Sequence, residues 1–312
     1  MKAAVINHYG GREQLEVIDM PIPKIKSDEV LVENMATSIN PIDYKAREGL
    51  LKRMFSWQFP VILGWDIAGI VASTGDDVTS FKVGDPVFAR PDIDTKGVNG
   101  SYAEYTAVKA DKLALKPNNI SFVEAAAVPL AGLTALQMLR KLQLSSNQKI
   151  LIQAGAGGVG IYAIQLAKMI GAYVVTTASQ NNHEFVKSLG ADSVIDYHKN
   201  NIQDVLSDFD AVLDTVGDVD NGIAILKSSG HLVTISNALT DQQKNTSDKT
   251  VTEGWLNPNG QDLAILASYI AKGELQIVVD SLYPLTTEGI QSAHERSETH
   301  HARGKVVVQI KE

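Results

Sequence analysis

The chain has 312 residues, enough for two domains of ordinary size, and its 44% hydrophobic and 21% charged residues are those of a soluble globular protein. Its formal net charge of -8 repels a phosphate backbone, so nucleic acid is not an expected partner. There is no cysteine, which excludes disulfides, a thiolate nucleophile and any zinc site built on thiolates.

The N-terminal Met1-Lys-Ala-Ala-Val-Ile-Asn-His lacks the long apolar stretch of a signal peptide, and a cytoplasmic protein is expected. The first hundred residues read as short strands at Ala3–Asn7, Glu29–Ser38, Ile67–Ser73, Pro86–Ala89 and Tyr102–Val108. Gly, Pro and Asp clusters separate them, the pattern of a compact, mostly antiparallel β unit. After Lys116-Pro-Asn118 the character changes. Ser121 and Glu124 have capping-box spacing ahead of an Ala-rich helix, which Pro129 is expected to interrupt, and a second helical run covers Gly132–Lys141. From Lys149 strands and helices alternate: strand Lys149–Ala154, helix Val159–Ile170, strand Ala172–Thr177, helix Asn182–Leu189 and strand Ser193–Ile195. Further strands follow at Ala211–Asp214 and His231–Ser236. Near-continuous apolar strands between helices indicate a parallel sheet covered on both faces. The tail returns to β character at Ile277–Tyr283 and Lys305–Ile310 and is expected to rejoin the first domain. The predicted domains are therefore 1–118 with 257–312, and 119–256.

The 18 residues between Lys149 and Lys168 carry no charge, close to the length of a membrane span. Four glycines and two glutamines among them fit a turn better than a spanning helix, and no membrane association is expected. Gly155-Ala-Gly157-Gly158-Val159-Gly160 is an intact G-x-G-x-x-G directly after an apolar strand and before a helix, the context in which it binds a dinucleotide. Gly155 is expected to allow the tight turn, Gly157 to admit a diphosphate, and Gly160 to permit close helix–strand packing. The N–H groups at the helix start then bind the anion. An NAD site usually places Asp or Glu about 20 residues past the first glycine. Ala172 to His183 contains no acid. Thr177, Ser179 and Asn181 are candidates to donate to a 2′-phosphate, with Lys187 a weakly placed helper, so NADPH is the expected cofactor. No Arg sits there as phosphate partner, which leaves open that these are ordinary loop residues and that both cofactors are accepted.

Further stretches resemble the zinc-independent quinone oxidoreductase branch of the medium-chain dehydrogenase/reductase superfamily, with its zeta-crystallin-like and enone reductase members. They are Ser38-Ile-Asn-Pro-Ile-Asp-Tyr-Lys45, Leu63-Gly-Trp-Asp-Ile-Ala-Gly69, Val83-Gly-Asp-Pro86, Gly100-Ser-Tyr-Ala-Glu-Tyr105, Val128-Pro-Leu-Ala-Gly-Leu-Thr-Ala135 and Gln153 to Gly160. Leu189-Gly-Ala-Asp192, Asp214-Thr-Val-Gly217 and Gly304-Lys-Val-Val307 complete the set, in family order over nearly the whole chain. The resemblance implies a GroES-like β domain for substrate, a Rossmann domain for NADPH, a site in the cleft between them, and a homodimer. It implies that Asn40, Asp43, Tyr44 and Lys45 lie beside the nicotinamide. Thr134, Val216 and Gly217 would contact the nicotinamide end, and Lys305 would approach the cofactor from the β domain.

The family chemistry is hydride transfer from NADPH to a quinone or to the β-carbon of an enone. Without a metal, a developing enolate needs donors such as Asn40, Tyr44 or Lys45, and Tyr44 or water is the candidate proton donor. Asn40-Pro-Ile-Asp43 also reads as an ordinary turn before a helix. His294-Glu-Arg-Ser-Glu-Thr-His300-His301 is a near miss for a metal motif and reads better as a solvated helix end. Phe55, Trp57 and Trp65 are candidates for an aromatic acceptor pocket or for core packing. No G-x-S-x-G hydrolase motif occurs, and the Ser146-x-x-Lys149 spacing is ascribed to chance. The alternative to an enzyme is a catalytically idle NADPH-binding protein serving as sensor or structural component. Selectivity is expected in the loops Leu50–Phe59 and Asp92–Asn99.

Overall fold

The computed structural model describes residues 1–311, which form two compact units: Met1–Leu133 with the tail from Pro258, and Thr134–Asn257. In the first unit a seven-stranded sheet runs in the order Val279–Pro284, Lys305–Gln309, Glu29–Ile39, Ile67–Thr74, Pro86–Ala89, Leu113–Leu115, and Tyr105–Lys109 pairs with Glu29–Ile39 as well. All of these pairings are antiparallel except that of Val279–Pro284 with Lys305–Gln309. Glu16–Asp19, Lys2–Ile6 and Val61–Ile62 make a smaller antiparallel sheet. The first unit is the expected mostly antiparallel β unit, and the second is the expected doubly wound α/β unit.

The long strand Glu29–Ile39 shows how sequence becomes site. Over its first half buried and half-buried residues alternate, as in a strand covered on one face, and from Ala36 to Asn40 every residue is buried. There the tail strand lies alongside, with Val306 opposite Ile39 and Val308 opposite Thr37. The strand then delivers Asn40 as N-cap of the helix Pro41–Arg47, with proline at the first helical position, where its missing N–H costs nothing. The expected strand from Tyr102 starts at Tyr105 instead, because Ser101 and Tyr102 donate to Gly64 O and Leu63 O. Pro129 also differs from expectation. It opens the helix Pro129–Lys141 rather than interrupting one, because the preceding helix, capped by Ser121 and Glu124, ends at Ala126.

The second unit is a six-stranded, all-parallel sheet in the order Ser193–Ile195, Tyr173–Thr177, Lys149–Ile152, Phe209–Asp214, Leu226–Thr234, Thr250–Glu253. Strand order reverses direction between Lys149–Ile152 and Phe209–Asp214, the switch point at which sheets of this kind bind ligands. The sixth strand carries no apolar run, because only Val251 of Thr250–Glu253 is buried, as suits a sheet edge.

Candidate active site

At the switch point the chain leaves Ile152 and turns into the helix Gly158–Ile170. The left-handed residue of the turn is Ala154, at φ 51°, so Gly155 is not there for the turn as expected. Gly155 is glycine because a Cβ would overlap the Thr176 hydroxyl and lie 2.9 Å from Ile164 Cδ1. A Cβ on Gly160 would fall 2.7 Å from Gly155 Cα, which locks the first helical turn onto the loop as expected. Gly157 is different. Its Cβ would meet only Ala154 O, at 3.3 Å, so its openness serves nothing within the chain. The helical ladder opens with Ile161 N–H donating to Gly157 O at 3.1 Å, which leaves the N–H groups of Gly158, Val159 and Gly160 ahead of it. Open space and converging donors fit a diphosphate there.

Thr177 is buried, and its hydroxyl accepts from Ala154 N–H at 2.9 Å, which ties the strand end to the turn. Ser179 lies beyond the strand end, accepts from Asn182 Nδ2 at 3.2 Å, and is followed by exposed Asn181. Across the switch point, Asp214 organises a loop that spacing alone does not reveal. Its buried Oδ1 accepts from the N–H groups of Val216 (3.0 Å), Gly217 (2.8 Å) and Asp218 (3.2 Å), while Oδ2 accepts from the Thr234 hydroxyl at 2.6 Å. Gly217 needs glycine at φ 91°. Thr215 donates to Gln153 O at 2.9 Å, so this loop and the Gly-rich turn sit together, with Val216 exposed. Thr134 is buried at the head of the second unit.

In the first unit the structure gathers Asn40, Asp43 and Lys305 around Asp66, a residue whose role no motif announces. Asp66 Oδ2 accepts from the Ser38 hydroxyl (2.6 Å), Asn40 Nδ2 (2.7 Å) and Lys305 Nζ (3.3 Å), and Oδ1 from Leu130 N–H (2.7 Å). Lys305 also donates to Ile39 O at 3.0 Å and to Asn40 Oδ1. The ammonium's three hydrogens are therefore all committed, inside a pair that is 3% and 0% exposed. Asp43 Oδ2 accepts from Asn40 N–H at 2.5 Å, fixing the helix start, while Oδ1 has no hydrogen-bond partner among the described residues. Burial pushes the Asp43 carboxyl up to about 7, and the negative charge of Asp66 adds to this against the Asn40 N–H bond and Lys305.

Tyr44 and Lys45 share the helix but none of these bonds. The Tyr44 ring meets His300 edge-on at 6.1 Å, and its hydroxyl has no partner among the described residues. Burial, then Glu298 and Glu48, push its pKa up, which makes it a poorer acid. Lys45 is half-buried, and its ammonium makes no hydrogen bond or ion pair among the described residues.

Behind the helix lies a buried chain of charged and polar groups. Arg47 donates to Gly10 O (3.1 Å), Glu298 (2.6 Å), Glu48 (3.1 Å) and His294 Nδ1 (3.0 Å), and His294 Nε2 lies 3.2 Å from the Tyr102 hydroxyl. Burial, aided by Arg47, pushes the His294 imidazole down to about 3. It is thus not the solvated helix-end residue expected, and a neutral ring with its proton on Nε2 fits both neighbours. Among the described residues no group of three or more acidic or histidine side chains is placed to hold a metal ion. No helix among them is long and apolar enough to cross a membrane.

Residues 26–118 match the family model of the alcohol dehydrogenase GroES-like domain, and residues 189–308 that of the zinc-binding dehydrogenase. Among the described residues no donor set meets the metal in that second name: no group of three acidic or histidine side chains gathers, cysteine is absent, and His294 has both ring nitrogens engaged. The chain is 40% identical to the chloroplastic NADPH-dependent alkenal/one oxidoreductase of Arabidopsis thaliana, over 99% of its own length and 79% of the relative's. The quinone oxidoreductase structure from Coxiella burnetii superposes with a TM-score of 0.92 at 34% identity, over 100% of this chain and 99% of that one. The Escherichia coli quinone oxidoreductase complexed with NADPH gives 0.88 at 29%, over 99% and 100%.

Proposed function

Because the chain belongs to the quinone oxidoreductase and alkenal/enone reductase branch of the medium-chain dehydrogenase/reductase superfamily, we propose that it reduces quinones or α,β-unsaturated carbonyl compounds at the expense of NADPH. One observation carries the reading: the open space at Gly157 and the N–H groups of Gly158, Val159 and Gly160 ahead of the helical ladder face a diphosphate, beside a strand end without an acid. Gly157, Gly158, Val159 and Gly160 would hold the diphosphate, Ser179 and Asn181 the 2′-phosphate, and Val216 and Gly217 the loop facing the rest of the cofactor. When bound, the cofactor supplies a hydride and leaves as NADP⁺. The acceptor gains that hydride and a proton across its reactive bond.

The chain's own task is electrostatic. Charge develops on the acceptor's carbonyl oxygen, and the unpaired Lys45 ammonium is the group free to meet it. Asn40, Asp43, Asp66 and Lys305 act through it: their bonds fix the N-terminus of its helix. Tyr44, with a raised pKa, leaves the proton to water. The test is NADPH absorbance with a quinone, an enone, an aldehyde and an alcohol, each repeated with NADH. Lys45→Met is expected to lower kcat by roughly a hundredfold, and Tyr44→Phe to change it by less than about threefold. Binding of NADPH without oxidation by any acceptor would leave the idle binder standing. We read the assembly as a homodimer, for which the edge strand Thr250–Glu253, paired on one side only, offers a surface. Light scattering on the eluting protein tests this.

A further inference from the structure

The two loops in which selectivity is expected meet in the first unit: Gln58 N–H donates to Thr95 O at 3.2 Å, and Ile62 N–H to Gly97 O at 2.7 Å. Between them lies an aromatic group. Phe55 and Trp57 stack at 5.0 Å and 2°, and both approach Trp65, at 5.8 and 6.2 Å. Trp65 is fully buried, whereas Phe55 and Trp57 keep half-exposed ring surface. Over Trp65, at 5.9 Å from the ring centre, sits the guanidinium of Arg90.

Arg90 follows the strand Pro86–Ala89, whose Ala89 pairs with Ile67, so it stands beside Asp66. Its side chain is only 12% exposed. Nη1 is engaged by Pro91 O (3.2 Å) and Asp92, which Lys112 also holds. That bond anchors the Pro91–Asp92 turn, and it uses one corner of the fork. Nε is buried with no acceptor, and no acceptor for Nη2 occurs among the described residues. The Nε/Nη2 edge, two parallel donors, is the side-on face with which guanidinium grips an oxygen atom. Leaving such a donor unmade inside a protein is costly, which points to a partner from outside the chain.

We infer that Arg90 and the Phe55–Trp57–Trp65 cluster select flat, conjugated acceptors that carry a second carbonyl oxygen, the ring resting on the aromatic surface and that oxygen accepting from Arg90 Nε and Nη2. The selected class is para-quinones and ene-diones over simple enones. A neutral oxygen suits the place better than a carboxylate, since Asp92, Asp66 and Asp43 all act on Arg90 with negative charge. The inference deepens the acceptor-reduction reading and rests on it.

The experiment compares para-benzoquinone with cyclohexenone, rings of one size with two carbonyls or one, in the wild type, Arg90→Met and Arg90→Lys. Arg90→Met is expected to lower kcat/KM for the quinone by about tenfold or more and for cyclohexenone by less than about threefold. Arg90→Lys keeps the charge but not the edge and is expected to behave like Arg90→Met. Equal losses on both acceptors, no loss on either, or full rescue by lysine overturns the inference. Should Arg90→Met not fold, Trp57→Leu is expected to weaken both ring acceptors, and an unchanged KM for both overturns the platform. A direct reading uses saturable quenching of tryptophan fluorescence by para-naphthoquinone, to which no cysteine thiol can add in this chain. Wild-type protein that oxidises NADPH with no acceptor sinks the reductase reading, while the quenching titration still decides on Arg90: saturation weakened in Arg90→Met supports it, and linear quenching overturns it.

Discussion

Replacing Lys305 with methionine separates two roles for that residue. The methionine fills most of the volume but removes an ammonium that donates to Ile39 O, Asn40 and Asp66. Asp66 stays behind, fully buried, with Ser38, Asn40 and Leu130 as its remaining donors and no cation in hydrogen-bond contact, Arg90 acting on it only at longer range. Taking one partner from a buried ion pair costs roughly 3–5 kcal/mol, because the other charge is left uncompensated. In a unit of this size each kcal/mol moves the melting temperature by about 2–4 °C, so Lys305→Met is expected to melt roughly 6–20 °C below the wild type. Scanning fluorimetry or calorimetry reads the shift. NADPH affinity at a temperature where both proteins are folded is expected to change by less than about threefold, since no hydrogen of the ammonium is left over for a ligand. A melting shift under about 3 °C combined with a loss of NADPH affinity beyond about tenfold would refute the reasoning and make Lys305 a cofactor ligand.

Asp43 and His294 should give opposite slopes of stability with pH. The folded-state pKa of Asp43 is raised to about 7 from 3.8, so between those values the native state holds a proton that the unfolded state has lost. Its contribution therefore falls by about 1.4 kcal/mol per pH unit as pH rises through that window. His294 is lowered to about 3 from 6.5, so its contribution is present above 6.5 and is lost as pH falls. Urea midpoints from pH 4 to 7 should rise with pH in Asp43→Asn and fall in His294→Gln, relative to a flatter wild type; parallel profiles would contradict both assignments. Gly157→Ala is expected to melt within about 2 °C of the wild type yet lose NADPH affinity at least about tenfold, whereas Gly160→Ala drives a Cβ into backbone and should lose about 1–3 kcal/mol of stability as well. Asp214→Ala leaves the N–H groups of Val216, Gly217 and Asp218 without their acceptor. It should weaken NADPH binding by calorimetry with little change in turnover at saturating cofactor.

The parts legible in the sequence are those whose causes are local. The Gly-rich turn, the helix behind it and the capping box at Ser121 announce themselves because each residue answers to neighbours a few positions away. The reason for Gly155 was not legible, since the obstructing hydroxyl of Thr176 arrives from the next strand. Asp66 could be noted within Leu63-Gly-Trp-Asp, but nothing in spacing says that its carboxylate would be met by residues 38, 40, 130 and 305. Asn40 and Lys305 entered as residues facing a cofactor and emerged as partners of each other. Arg90 carried no signal at all, because an arginine after a strand reads as an ordinary surface charge until its burial and its empty edge are seen.

The helix Pro41–Arg47 is held at both ends by groups from far along the chain: Lys305 reaches Asn40 across 265 positions, and His294 and Glu298 reach Arg47 across 247 and 251. A ribosome that has released the first half of the polypeptide has made Lys45 but none of these anchors. The parallel sheet of residues 149–253 draws its strands from one continuous stretch and is complete well before translation reaches them. Synthesis order therefore imposes an order of maturation, in which the parallel-sheet unit closes first and the mostly antiparallel unit stays unfinished until the tail strand is laid down.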